Sequence, residues 1–290
     1  LDRTVPLGTI FDPATTRQVT QGQADPVTGL TATGSGFVRD PFPGNIIPAN
    51  RLDANAIKIL NLYPEPTGSG LLYNFGSGPI RSDDINQFDV RIDQNFSEKN
   101  QLFARYSFFD ENHLKPGPFE GLADGGSFNE GAEKVRAQGA ALSYTHVFSS
   151  TFINEVRAGF NREYVNRLQP FGDDMTDLPA QYGIPGIPQI KGNGGLPLMF
   201  IGNLRQIGAN DWLVSERFSS TFQISENLTK VYRNHTFKGG LEIQHITFPW
   251  TAPPWSRGRF DFNGPYTSIP DQGDGSTGPA QFLLTPTTAS

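Results

Sequence analysis

The chain has 290 residues, a net charge of −6 and a hydrophobic fraction of 36%, yet it carries 23 Phe and 8 Tyr. That balance lacks the basic stripe of a nucleic-acid binder, and the absence of cysteine excludes disulfides and thiolate metal sites while suiting a periplasmic or surface setting. Few apolar residues, many of them aromatic, fit an apolar coat one residue deep, as on a membrane barrel, or a loop-rich secreted protein.

The opening Leu1-Asp2-Arg3, with no Met and no apolar leader, reads as the interior of a longer polypeptide. The longest apolar stretch, Leu196-Pro197-Leu198-Met199-Phe200-Ile201, falls far short of the roughly 18–20 residues of a transmembrane helix. Residues 1–85 form a loop-rich segment punctuated by Asp12-Pro13, Asp25-Pro26 and Pro43-Gly44. Within it one short helix is predicted near 53–63. Asp53 caps it, Ala56, Ile57, Leu60 and Tyr63 form its apolar stripe, and Pro64 ends it.

Strands follow over 86–290. Three pairs are predicted at about 86–96 with 101–109, 137–148 with 152–164, and 216–230 with 235–248, and a seventh run alternates over 257–262. Short turns join the members of each pair, while long segments (110–136, 165–215) separate the pairs. That rhythm is the signature of a transmembrane barrel, with short turns on one side of the membrane and long loops on the other. Strands of roughly 9–14 residues also suit a tilted crossing better than ordinary globular strands do.

Alternation assigns the faces. Phe88, Val90, Ile92, Leu102, Tyr106, Phe108, Leu142, Tyr144, Val156, Phe160, Phe222, Ile224, Leu241 and Ile243 fall on the lipid side. Asp89, Arg91, Asp93, Arg105, Glu155, Arg157, Gln223, Lys238 and Glu242 form a polar lumen wall, with Asn161 and Thr221 beside them. Parity then predicts register. Asp93 is expected opposite Arg105. Tyr144, Leu142 and Ser143 are expected opposite Val156, Ala158 and Arg157, and Gln223 opposite Glu242 after a two- or four-residue turn. Phe109, Phe148, Phe152, Tyr164 and Phe248 are expected in interfacial girdles.

Several segments in their order resemble the Oar-like TonB-dependent outer-membrane transporters. Arg39-Asp40-Pro41-Phe42-Pro43-Gly44-Asn45-Ile46-Ile47-Pro48 precedes Arg51, the helix and Leu62-Tyr63-Pro64-Glu65-Pro66. Asp89-Val90-Arg91-Ile92-Asp93 and Ser97–Ser107 follow, then Thr145–Ser149, Ile153–Arg157, His235–Gly240 and Ala280–Leu284. The resemblance spans about residues 11–285. It implies part of a plugged barrel of about 22 strands, lacking here the energy-coupling box, the plug and a terminal aromatic strand. The partners it implies are membrane lipid, the rest of the barrel and plug, the TonB energy-coupling complex and an unidentified ligand.

No catalytic constellation is found, so no enzyme activity and no cofactor are expected. Glu242 and His245 stand three apart, which on a strand sends them to opposite faces. His113, His146 and His235 are scattered, and no metal site is expected among them. Asp83-Asp84 with Asp89 and Asp93 offers a place for a cation or a cationic ligand, but the favoured reading is a solvated strand entrance with Arg91 and Arg105 as counter-charges. Asp271-Gln272-Gly273-Asp274-Gly275 lacks the spacing of a calcium loop, and the sequons Asn227-Leu228-Thr229 and Asn234-His235-Thr236 carry little weight.

The sequence therefore predicts an all-β, antiparallel up-and-down transmembrane β-barrel segment of about seven strands, with long loops and one short helix, in the bacterial outer membrane. Its expected role is to bind and import a scarce ligand through a plugged barrel. The competing reading is a secreted β-rich binding or adhesion module without transport activity.

Overall fold

The computed structural model describes residues 5–124, 130–210, 212–270 and 277–284. Its strands begin with β1 (Phe11–Val19), β2 (Gly36–Pro41), β3 (Ser82–Ser97), β4 (Asn100–Lys115), β5 (Gly131–Ser149) and β6 (Phe152–Leu168). They continue with β7 (Leu198–Ile201), β8 (Ser215–Tyr232), β9 (His235–Thr247), β10 (Trp250–Thr251) and β11 (Arg259–Phe262). The helices are α1 (Ala54–Leu60), α2 (Leu178–Gln181) and α3 (Gly278–Leu283).

The main sheet is an antiparallel meander of β3, β4, β5, β6 and β8, with β9 and β10 on the far side of β8. The β8–β9 ladder ends at Ser220 opposite Thr247 and resumes with Arg217 opposite Trp250, so β9 and β10 are one strand interrupted at Phe248-Pro249. Pro249 has no N–H to give the ladder, but its carbonyl still accepts from the Phe218 amide at 3.0 Å. Among the described residues the sheet does not close: β3 and the β9–β10 strand each keep an unpaired edge.

Each hairpin closes on two residues. Ser97 pairs with Asn100, Ser149 with Phe152 and Tyr232 with His235. In the last, Arg233 takes the left-handed conformation (φ 53°) that tight two-residue turns demand. The second hairpin has the expected register: Tyr144, Leu142 and Ser143 lie opposite Val156, Ala158 and Arg157. The other two have the expected parity but slip by two residues. Asp93 faces Phe103, and Arg105 faces Arg91 instead; the turn is a residue shorter than expected and the ladder is irregular between Asn95 and Ser97. Glu242 faces Ser225 and Gln223 faces Gln244, because the third turn is the two-residue one.

The strands also run longer than expected. β3 to β6 and β8 have 16, 16, 19, 17 and 18 residues, whereas a tilted crossing needs only about 9–11. The excess lies at the long-loop end. Near the turns the outer face is apolar, and its side chains are uncovered: Phe88 is 51% exposed, Ile92 62% and Leu241 66%. Further along, the same face becomes polar. Arg136 pairs with Asp110 at 2.6 Å, and Tyr164 donates to Glu216 at 2.9 Å. The wall thus has an apolar band and, above it, a collar with both faces wettable.

Every buried hydrophobic side chain lies outside these long strands. The core sits in a head at the long-loop end, where Ala56 and Ile59 of α1 meet Phe119 and Ala123 of the β4–β5 loop. Leu196, Met199, Ile201 and Ile207 of the β6–β8 loop and Phe282 of α3 complete it. Asp53 caps α1 as expected, accepting from the Asn55 and Ala56 amides at 2.8 and 2.9 Å. The buried positions are Ala56 and Ile59, however, while Ile57 is 38% exposed. Gly208 allows the close chain approach: its φ is +80°, and a Cβ there would stand 1.8 Å from the Pro197 carbonyl oxygen.

Three expectations need correction. The run at 257–262 is not a barrel strand: β11 pairs in parallel with β7 inside the head, and the seventh element of the main sheet is β10. Residues 1–85 are more than loops, since β1 and β2 form an antiparallel pair. The intervening loops shrink to 116–130 and 169–214 because the strands extend. The Asp271–Gly275 segment lies outside the described residues.

The two faces should respond oppositely to charge. If the apolar face meets lipid, Val90→Arg there should cost about 2–4 kcal/mol, measured by denaturant unfolding of the bilayer-embedded protein. Ser225→Arg on the opposite face should cost far less. Equal costs would contradict the face assignment.

Candidate functional site: the inner wall and the head above it

The polar face of the meander is the concave one. A hollow of about 1010 Å³ is lined by Arg91, Asp93, Glu155, Arg157, Gln223 and Glu242, among others. A second, of about 610 Å³, continues it toward the collar past Asp89 and Arg105. Alternation puts Lys238 on the same face, two residues from Gly240 and four from Glu242. The sheet therefore bends around the polar wall, and alternation directs the apolar side chains to the other face, where Phe88 stacks on Phe108 at 5.3 Å and Ile224 lies opposite Ile243.

Because Arg91 and Arg105 are directly opposed, each must find a counter-charge elsewhere on the face. Arg91 takes Asp93, two residues along its own strand, at 2.7 Å and lies over the Phe103 ring at 4.4 Å. Arg105 reaches diagonally to Asp89 at 2.8 Å, where Ser107 also donates. Arg157 pairs with Glu155 at 2.9 Å, and Ser143 donates to the same carboxylate at 3.1 Å. These pairs are water-exposed, so each contributes well under about 1 kcal/mol. Their effect is a wall of alternating charge with no single-sign field.

The aromatic girdle is partly as expected. Phe148 stacks on Phe152 at 4.8 Å beside the second turn, and Tyr164 packs on Phe218 at 4.6 Å in the collar. Phe109 turns inward instead and lines the concave side. Parity decides this, since Phe109 shares its face with Arg105 and Ser107.

Above the wall, the head holds an apolar groove of about 590 Å³ lined by Ala56, Ile59, Met199, Phe260, Phe262 and Phe282. Asp53, Asn55 and Gln281 supply polar groups beside it. Such a mixture of apolar lining and a few polar groups is the usual make-up of a small-molecule site. Sequence reading did not find this groove, because its lining comes from separate stretches of the chain, around α1, in the β6–β8 loop and from β11 to α3.

Buried polar side chains brace the head. Arg257, 2% exposed, donates to the carbonyls of Gly192 (3.3 Å), Gly194 (3.2 Å) and Leu213 (3.1 Å). Burial without a carboxylate pushes its pKa down to about 10. Gln169, equally buried, donates to the Gly192 and Gly194 carbonyls. In the N-terminal segment Arg17 bridges Asp25 and Asp40, both at 2.6 Å. The Arg17 guanidinium, with help from the Thr28 hydroxyl, holds the Asp25 carboxyl well below the usual carboxylate range.

The histidines do not all stay scattered. His146 packs edge-on to Phe148 at 4.3 Å, and His245 lies opposite Phe222 on the outer side, away from Glu242. His113, in contrast, meets Asp83 directly across the β3–β4 ladder. With Glu111 the two form a group whose ligand atoms lie within 4.8 Å of one another. Sequence reading missed this group. Glu111 and His113 stand two apart on one strand, but their convergence with Asp83 depends on a register known only from the fold.

The open antiparallel meander, its uncovered apolar band and its polar concave wall define a membrane β-barrel wall. In agreement, the chain matches the model of a family described as outer membrane beta barrel domain over residues 3–290, and it belongs to that family. The protein is thus an outer-membrane barrel protein of bacteria. Comparison with curated proteins and with solved structures gave no match.

If Arg257 is the strut of the head, Arg257→Met should destabilise it by about 2–3 kcal/mol, because buried carbonyls lose their donors. Limited proteolysis should then cut within 169–214 while the strands stay protected. Unchanged protection would contradict this role.

Proposed function

We propose that this protein is part of a TonB-dependent transporter, which binds a scarce ligand at the cell surface and imports it through a plugged barrel. The observation that carries the reading is the head. Its core joins α1, both long loops and α3 over a charged wall. A diffusion pore gains nothing from a cored roof, whereas a receptor places adaptable segments on a rigid scaffold to make specificity. The resemblance of residues 39–66 and 89–107 to Oar-like transporters supports the same reading.

On this reading the ligand first meets the head, where Tyr182, Ile184 and Met199 of the β6–β8 loop contribute to the apolar groove. It then passes the concave wall, whose alternating charges hold water and grip no ion of either sign strongly. The remaining strands and the plug come from the rest of the barrel and pair with the open edges of β3 and β9. Membrane lipid covers the convex band, and the energy-coupling complex acts on the plug. No covalent step is involved, so the protein works without enzyme activity or a cofactor.

Planar-bilayer recording of the full-length protein tests this reading. The intact barrel should conduct little, and deletion of its plug should open a large steady conductance. The purified periplasmic domain of TonB should bind the intact protein. A full-length barrel that conducts freely and ignores TonB would overturn the proposal.

A further inference from the structure

We infer that the inner side of the collar carries a binding site for a divalent first-row transition metal, built from Asp83, Glu111 and His113. This site does not depend on energised transport. Its three residues sit on two hydrogen-bonded strands, Asp83 on β3 directly opposite His113 on β4, with Glu111 two residues from His113 on the same face. Their ligand atoms lie within 4.8 Å of one another, so sub-ångström to ångström side-chain adjustments bring them to the roughly 2.0–2.2 Å that zinc requires. The ladder fixes all three Cα positions before any ion arrives, which keeps the ordering cost of binding low.

Two further observations favour a ligand here over a solvated strand end. Among the described residues the Glu111 carboxylate has no hydrogen-bond or ion-pair partner, although its side chain is half-buried. Glu111 and His113 also line a hollow of about 360 Å³, together with Arg81, Lys115, Glu133 and Arg167, which leaves room for water or a chelate on the ion.

The neighbouring charges are compatible with this role. Arg81 grips both oxygens of Asp83, Nε to Oδ2 at 2.9 Å and Nη2 to Oδ1 at 3.3 Å, and Oδ1 also meets His113 Nδ1. The longer Nη2 contact yields when Oδ1 binds metal, and the Nε contact to Oδ2 keeps the carboxylate oriented, as outer partners of metal carboxylates do. Glu133 lies opposite His113 but is engaged by Arg167, so the protein supplies three ligands and leaves the other positions open. An imidazole with two carboxylates suits zinc, cobalt or nickel; calcium and magnesium prefer an all-oxygen shell.

Titration of the full-length protein in detergent with zinc, cobalt and calcium chlorides tests the site. We expect one zinc or cobalt ion per chain, with His113→Ala and Glu111→Gln each weakening binding at least about tenfold. His146→Ala and His235→Ala should leave binding unchanged, and near-ultraviolet circular dichroism should match across all variants. Natively folded protein that binds no zinc would overturn the proposal. So would zinc binding indifferent to both substitutions, or calcium binding as tightly as zinc.

Discussion

A strand in a membrane must give each backbone N–H and C=O a protein partner, because the hydrocarbon offers none. The continuous antiparallel ladder from β3 to β9 meets that demand everywhere except along its two outer edges, and the rest of the molecule follows from it. Once the ladder is fixed, side chains alternate between two solvents, so Phe88, Val90 and Ile92 must suit lipid while Asp89, Arg91 and Asp93 must suit water. The polar wall then needs no buried charge. Its Arg–carboxylate pairs settle opposed arginines at little energetic gain, and the sheet stays stable through its backbone and its convex coat.

A wall one residue deep has no interior, and the protein places its hydrophobic core elsewhere. The strands outlast the membrane, lose their apolar coat in the collar, and end beneath a head that folds by the ordinary rules of soluble proteins. Leu198, Met199 and Ile201 pack in that head as a parallel partner to β11, with Arg257 tying the Gly194 and Leu213 carbonyls on either side of β7. The two halves obey different physics, and the collar joins them. The inferred metal group sits at that junction, where ladder geometry is rigid and water has access.

Much of the wall was legible in the sequence. A period of two across Phe88–Asp93 and Leu102–Phe108, and the spacing of the turns, gave the strands and both faces without any structure. The second hairpin was read in its true register from Val147 inward, although at its turn Phe152 pairs with Ser149 and not with Phe148 as expected. The first and third slipped by two, since residues of like character repeat every second position and parity alone cannot choose between neighbouring even registers. The head was hardly legible. Arg259–Phe262 alternates as well as any barrel strand, and only its parallel pairing with Leu198–Ile201 removes it from the wall. The Asp83–Glu111–His113 group failed for the same reason as the first hairpin, because it exists only when β3 and β4 are paired in one particular register.

The central claim is that one face of this ladder meets lipid and the other meets water, and a chain without cysteine allows a direct measurement. Single spin labels at residues 88 to 93 and 103 to 108 of the bilayer-embedded protein can be relaxed by oxygen, which concentrates in lipid, or by a water-soluble nickel chelate. The account predicts that even positions respond to oxygen and odd positions to nickel, with a period of two through both strands. Uniform accessibility, or a period near 3.6, would contradict it.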